Sequence, residues 1–165
     1  MVSERINCII NEQINKEFYS GYIYLSMSAY LKQIGLFGFA KWTKQHAREE
    51  VVHGLKLLDY LLDRNSFVTL RQINMPDFEY NGIMSVFQNI YDHEKSITSS
   101  VMEIAKIAEE ECDRKTLTFI DWFIKEQVEE EQTVKDIIKR LEIFGTDQAS
   151  LFLLDQEMNE KSIPE

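Results

Sequence analysis

Six polar side chains recur at spacings that would let them meet: Glu17, Glu50, His53, Glu94, Gln127 and Glu130. Glu50 and His53 are three residues apart, as are Gln127 and Glu130, a separation that puts both members of each pair on one face of a helix. Adding 77 to Glu17, Glu50 and His53 gives Glu94, Gln127 and Glu130, and Glu49 maps onto Glu126 in the same way. The chain therefore reads as two related halves, each bringing a lone Glu to face an i, i+3 pair. Carboxylate oxygens with a single imidazole form a hard donor set that suits iron and tolerates manganese or zinc. Two cations bridged by a carboxylate would lie about 3.5–4 Å apart. At that range each can pass one electron to the same bound oxidant.

The elements that must position these groups are long helices. Helical periodicity runs over about 3–33, 37–65, 82–111 and 114–144, with a short fifth segment over about 147–159. Two prolines and six glycines leave little to punctuate the chain, which favours long helices over a many-turned β fold. Asp113 is a natural N-cap and Gly145 a natural stop. Gly35 and Cys112 mark very short links, so the first and second helices form one antiparallel hairpin and the third and fourth another. Folding each about its turn levels Glu17 with Glu50 and His53, and Glu94 with Gln127 and Glu130. The middle link, Ser66 to Asn81, can extend about 50 Å, enough to run the length of a helix of about 43 Å and return the chain to the same end. Such a crossover is a feature of ferritin-like bundles. The di-iron members of that class place a Glu on each of two helices and a Glu-x-x-His on each of the other two. The first half of this chain meets that pattern in full, and the second meets it in variant form.

Each long helix carries an apolar stripe broken near its middle by these polar residues. A carboxylate on a core-facing stripe is costly unless it is paired or binds a metal, and here every helix of the four has one. Taken singly, Glu50 and His53 also fit a plain hydrogen-bonded pair, Gln127 a structural amide, and Glu49, Glu126 and Glu129 a solvated acidic face. His46 faces the stripe one turn from the cluster, His93 reads as off the core, and Glu131 reads as surface charge. Trp42 and Trp122 read as packing, and Tyr24 as a core aromatic. Cys8 and Cys112 lie in no metal or redox spacing and read as free thiols of a reduced, cytoplasmic protein.

The 28 acidic side chains outnumber the 18 basic ones, for a formal charge of −10. That balance argues against nucleic acid or an anionic membrane as partner and suits cations. No apolar run approaches the roughly 20 residues of a membrane span. The apolar stripes are nonetheless too wide for a lone bundle: Phe18, Tyr22, Leu25 and Ala29 form a second one on the first helix, and the segment after Gly145 is greasy. Self-association is the economical explanation.

The segments NEQINKEFYSGYIYLSMSAY, FAKWTKQHAREEVVHGLKLLDYL, DHEKS and FIDWFIKEQVEEEQ resemble the ferritins, and specifically the bacterial non-haem branch, over nearly the whole of residues 1–165. The resemblance implies an all-α, ferritin-like four-helix bundle and a shell of 24 identical subunits. It implies a ferroxidase centre in which Glu17, Glu50 and His53 hold one iron while Glu94, Glu130 and bridging Glu50 hold the second. Gln127 would lie beside the second iron, and Tyr24 would hydrogen-bond or donate an electron. A third, looser iron site would use Glu49, Glu126 and Glu129 with Glu130. The oxidant would be dioxygen or peroxide, and the ferric product a mineral inside the shell. Bacterioferritins are set apart by a second Glu-x-x-His, which Gln127 and Glu130 replace, and by a haem-binding Met where this chain has Val51 and Val52. No haem is expected. The competing readings are a non-cage di-iron peroxidase on the same bundle and a non-catalytic helical interaction protein with a buried polar network.

Overall fold

The computed structural model describes residues 1–161; the last four residues of the expected domain lie outside them. The described residues form five helices: α1 (Glu4–Gln33), α2 (Phe37–Asp63), α3 (Gly82–Glu110), α4 (Arg114–Phe144) and α5 (Gln148–Lys161). Ser3 opens α1 by accepting from the Ile6 N–H, and Asp113 opens α4 by accepting from Lys115 and Thr116, each satisfying backbone donors that a helix start leaves orphaned. Three helices end in the same paired bonds: Leu36 N–H to Leu31 O, Ser66 to Leu61 and Asp113 to Ala108, each beside a second bond that spans three residues, Gly35 to Lys32, Asn65 to Leu62 and Cys112 to Glu109. The residue that makes this turn has positive φ in all three: Gly35, Asn65 and Cys112, the left-handed position that closes a helix end. Gly145 ends α4 without such a turn.

Cross-helix contacts fix the directions. Ser28 Oγ donates to Ala40 O, while a Cβ on Gly54 would strike the Phe18 ring, so α1 and α2 are antiparallel. Tyr24 meets Glu94 and Gln13 meets Ser100, so α3 also runs antiparallel to α1 and therefore parallel to α2. That polarity requires the crossover to climb the bundle, and α1 carries the rail for it. Asn7, Asn11 and Asn15, spaced four apart, donate to the carbonyls of Phe67, Arg71 and Gln72. Asn11 Oδ1 accepts from the Thr69 N–H at 2.6 Å. Further up, Ser26 bonds Asp77 O and the Gly82 N–H donates to Tyr30. These side chains supply the partners that an extended segment lacks on its own.

The fifth helix sits on α2. A Cβ on Gly38 would fall 1.7 Å from Asp155 O, so only glycine allows the approach, and buried Asp155 accepts the Phe39 N–H at 3.0 Å. α2 has no side-chain cap of its own; α5 provides one. The bidentate Arg140–Glu157 pair ties α5 to α4.

The core is split into two apolar blocks. One gathers Tyr24, Met27, Leu31, Phe39, Phe87 and Leu141 among others, and the other Ile6, Ile10, Leu57, Leu61, Ile104 and Ile120 among others. On every long helix the break between blocks falls where the polar residues stand.

Candidate metal centre

The break is filled by the six residues that share a repeat. Glu17, Glu50, Glu94 and Gln127 are at most 3% exposed and His53 is 6% exposed; Glu130 is half-buried. Ligand-type atoms of Glu17, Glu50 and His53 lie within 4.8 Å of one another, and so do those of Glu50, Glu94 and Glu130. Glu50 belongs to both groups and stands between them. His53 Nδ1 is 3.7 Å from Glu50 Oε1, and the ring is fixed by edge contacts with Trp122 and Phe123.

Four carboxyl groups at one depth are costly, since burial disfavours charge and like charges repel. Burial, then the charge of Glu50, pushes the Glu17 carboxyl well above the usual carboxylate range. Burial, then Glu94, does the same to Glu50, and burial with Glu50, Glu94 and Glu17 does so to Glu130. Among the described residues, three buried side-chain oxygens have no hydrogen-bond partner: Glu17 Oε2, Glu50 Oε1 and Glu130 Oε2. Native structures rarely leave such atoms unmatched. Oxygen donors of this kind, converging from four helices with one imidazole, fit a pair of divalent cations.

The surrounding groups hold ligand oxygens in place. Tyr24 donates to Glu94 Oε1 at 2.5 Å, and Gln127 Nε2 donates to Glu94 Oε2 at 3.0 Å. The Gln127 amide thus faces Glu94 through its nitrogen. Burial and then Glu94 push the Tyr24 phenol pKa up, so the hydroxyl stays a donor. His46 puts Nδ1 3.0 Å from Trp42 O and lays its ring on the Trp42 indole, beside the centre and outside its ligand groups. His93, expected off the core, is half-buried between α3 and α1 with Nε2 2.7 Å from Ser20 Oγ. Glu131, expected at the surface, accepts from Thr98 at 2.7 Å.

The four glutamates expected at a third site separate. Glu126 joins His53 and Glu130 in a group within 4.8 Å. Glu49 faces Gln45 at 3.1 Å and His46 at 3.8 Å, and Glu129 is exposed; neither enters a ligand group among the described residues. Gln13, which was not among the residues expected at the centre, is fully buried and donates to Glu17 Oε1 at 2.7 Å. A signal for it exists in the sequence: it lies on the Ile10–Ile14 face, one turn before Glu17.

Comparison with known proteins follows the same lines. Residues 7–144 match the family model for the ferritin-like domain. The chain belongs to the ferritin family. It is 38% identical to a probable bacterial non-heme ferritin-like protein of Haemophilus influenzae, with 98% of each chain covered, and 34% identical to a bacterial non-heme ferritin of Campylobacter jejuni over 94% of this chain and 93% of that one. Among solved structures, an engineered closed form of the Archaeoglobus fulgidus ferritin superposes with a TM-score of 0.96 at 36% identity, covering 99% of this chain and 100% of that one. The open-pore ferritin of the same archaeon gives 0.94 at 37% identity, with 96% of each covered. As its periodicity predicts, this ferritin is an all-α bundle with a short C-terminal helix. No helix among the described residues is long and apolar enough to cross a membrane.

Proposed function

We propose that this ferritin is an iron-storage subunit that oxidises ferrous iron at a two-ion centre and deposits the ferric product inside a hollow shell of 24 identical chains. The observation that carries this reading is the set of orphaned oxygens on Glu17, Glu50 and Glu130, in two ligand groups that share Glu50. Ferrous ions are the substrate. Glu17, Glu50 and His53 would hold one, and Glu50, Glu94 and Glu130 the other. Each ferrous ion releases one electron. Two electrons and two protons take dioxygen to hydrogen peroxide, or peroxide to water, so no one-electron product need leave. The anionic oxygens favour ferric over ferrous charge and add driving force. Carboxyls kept protonated by burial release protons as cations enter, and the reduced oxidant consumes them.

Glu126, beside His53 and Glu130, would take the ferric product on its first step away from the centre, with half-buried Glu49 and exposed Glu129 further along. The surplus of acidic residues draws cations toward the chain. Tyr22, Leu25, Phe67, Leu70, Met75 and Phe78 are about half exposed or more, apolar surface of the kind that contacts between copies cover. Two exposed free thiols suit a reducing cytoplasm.

The test combines particle mass with the growth of ferric absorbance. A shell of 24 chains of 19.5 kDa runs at about 470 kDa, and Glu50→Ala should keep that size while losing most of the initial rate. A wild-type protein that runs as a small oligomer removes the shell. An unaltered rate in Glu50→Ala removes the centre.

A further inference from the structure

A hydrogen-bonded chain leads from the surface to the buried Glu17 carboxyl and sets its orientation. Lys16 Nζ donates to Ser100 Oγ at 2.6 Å, Ser100 Oγ donates to Gln13 Oε1 at 2.6 Å, and Gln13 Nε2 donates to Glu17 Oε1 at 2.7 Å. Lys16 is exposed, Ser100 half-buried and Gln13 fully buried. Every bond in it runs the same way, from the surface inward. An ammonium is a donor without acceptor capacity, so Ser100 accepts at its outer side and keeps its own hydrogen to give to Gln13 Oε1. That hydrogen fixes which end of the Gln13 amide faces Ser100, and the amide nitrogen is left facing Glu17. A flipped amide would set its oxygen against Glu17 Oε1 once that carboxyl is ionised, and would give up the Ser100 hydrogen now received by Gln13 Oε1. The cation at the outer end polarises every bond inward.

We infer that Gln13, with Ser100 and Lys16 behind it, is a positioning residue for the first of the two metal half-sites. It holds Glu17 Oε1 away from the cluster and thereby aims Oε2, which has no partner, at the space between Glu50 and His53. This rests on the two-ion reading above and adds to it a determinant of how firmly the first ion is held. The second half-site uses other means: Glu94 is held by Tyr24 and Gln127, and the repeat places Ile90 where the first half has Gln13.

Groups that orient metal ligands typically cost 10–100-fold in metal affinity when removed. The probe is cobalt(II), titrated without oxygen into the assembled protein and followed by its visible absorbance. Wild type should take up two ions per chain. Gln13→Leu should weaken one of them about 10-fold and leave the other within about 2-fold. Ser100→Ala should weaken the same ion by a smaller factor, and Ser100→Thr, which keeps the hydroxyl, should restore it. Equal weakening of both ions, or a fall in melting temperature with both affinities intact, would reduce Gln13 to packing and overturn the inference. A wild-type protein that binds no cobalt overturns the two-ion reading itself, a result distinct from wild-type binding that Gln13→Leu fails to alter.

Discussion

The two hairpins share a backbone plan and differ in donors. Each turns on a left-handed residue, Gly35 in one and Cys112 in the other, 77 positions apart, and each presents a lone Glu to an i, i+3 pair. The first offers Glu17, Glu50 and an imidazole, with Glu17 held at one oxygen and free at the other. The second offers Glu94, already bonded at both oxygens, and half-buried Glu130, with an amide where the first has Glu50. Equal geometry with unequal chemistry gives one half whose lone Glu keeps an oxygen free and one whose lone Glu has both oxygens attached, with only Glu130 Oε2 unpartnered on its own helices. Under the proposed function, that inequality suits a centre that must empty after each turnover.

Removing the lone Glu from each half tests the comparison most severely. Glu17→Met and Glu94→Met should each reduce ferrous binding by one ion per chain and lower the oxidation rate by about 100-fold or more, beyond the range for groups that only orient ligands. Their metal-free stabilities should part. Glu17→Met removes a buried carboxyl and strands one donor, Gln13. Glu94→Met strands Tyr24, a loss of about 1–3 kcal/mol, and leaves Gln127 Nε2 only its longer bonds to Glu94 O and Thr98 Oγ1 at 3.4 Å. Calorimetry of the metal-free proteins should therefore find Glu17→Met the more stable of the two. The reverse order would mean that the second half, not the first, carries the uncompensated charge.

Making the halves alike is the next test. Gln127→Glu with Glu130→His gives the second hairpin the donors of the first. The affinity gap between the two ions should shrink by about 10-fold, and product should leave more slowly. Calorimetric titration under nitrogen measures the first, and repeated-turnover absorbance the second. If the gap is unchanged, backbone placement rather than donor type sets it.

Much of this is legible in the order of residues alone. The repeat of 77, the polar breaks in apolar stripes and the short links at Gly35 and Cys112 are all local or periodic signals, and they place the six residues at one depth. What the sequence hid depends on rotamers and on partners distant in the chain. Glu49 and Glu126 are equivalent in the repeat, yet Glu126 turns toward His53 while Glu49 turns to Gln45 and His46. Asn7, Asn11 and Asn15 read as ordinary helix surface until the crossover lies on them. Asp155 caps a helix more than a hundred residues away, and no cap motif in the sequence marks that pairing.

The protonation state of the centre gives a smaller and graded test. The Glu17, Glu50 and Glu130 carboxyls are all raised above their ordinary value, burial being the first cause. A raised carboxyl binds its proton in the folded state at pH values where the unfolded chain has lost it, so stability declines as pH rises. The decline should begin in the ordinary carboxylate range, where the unfolded chain ionises, and continue past about 8, where Glu50 ionises, to about 11, where Glu130 does. Metal-free protein should lose several degrees of melting temperature over that window, given about 2–4 °C per kcal/mol at this size. Zinc should abolish the slope, because cations replace the protons. A metal-free melting temperature that rises with pH would contradict the assigned burial.

The turns themselves supply the finest contrast. Gly35 has φ 86° and Cys112 φ 56°, and both close the same pair of helix-end bonds. Glycine adopts left-handed backbone freely, whereas a residue with a Cβ is strained there by about 1–2 kcal/mol. Part of that gain is offset because glycine also frees the unfolded chain. Cys112→Gly should therefore stabilise the second hairpin by about 0.5–1 kcal/mol, or roughly 1–4 °C, and Gly35→Ala should destabilise the first by at least as much. Neither turn contains a proposed ligand, so ferrous binding should stay at two ions per chain in both variants. If Cys112→Gly lowered the melting point, the exposed thiol would be contributing something that the left-handed turn does not account for, and the two hairpins would differ in more than their donors.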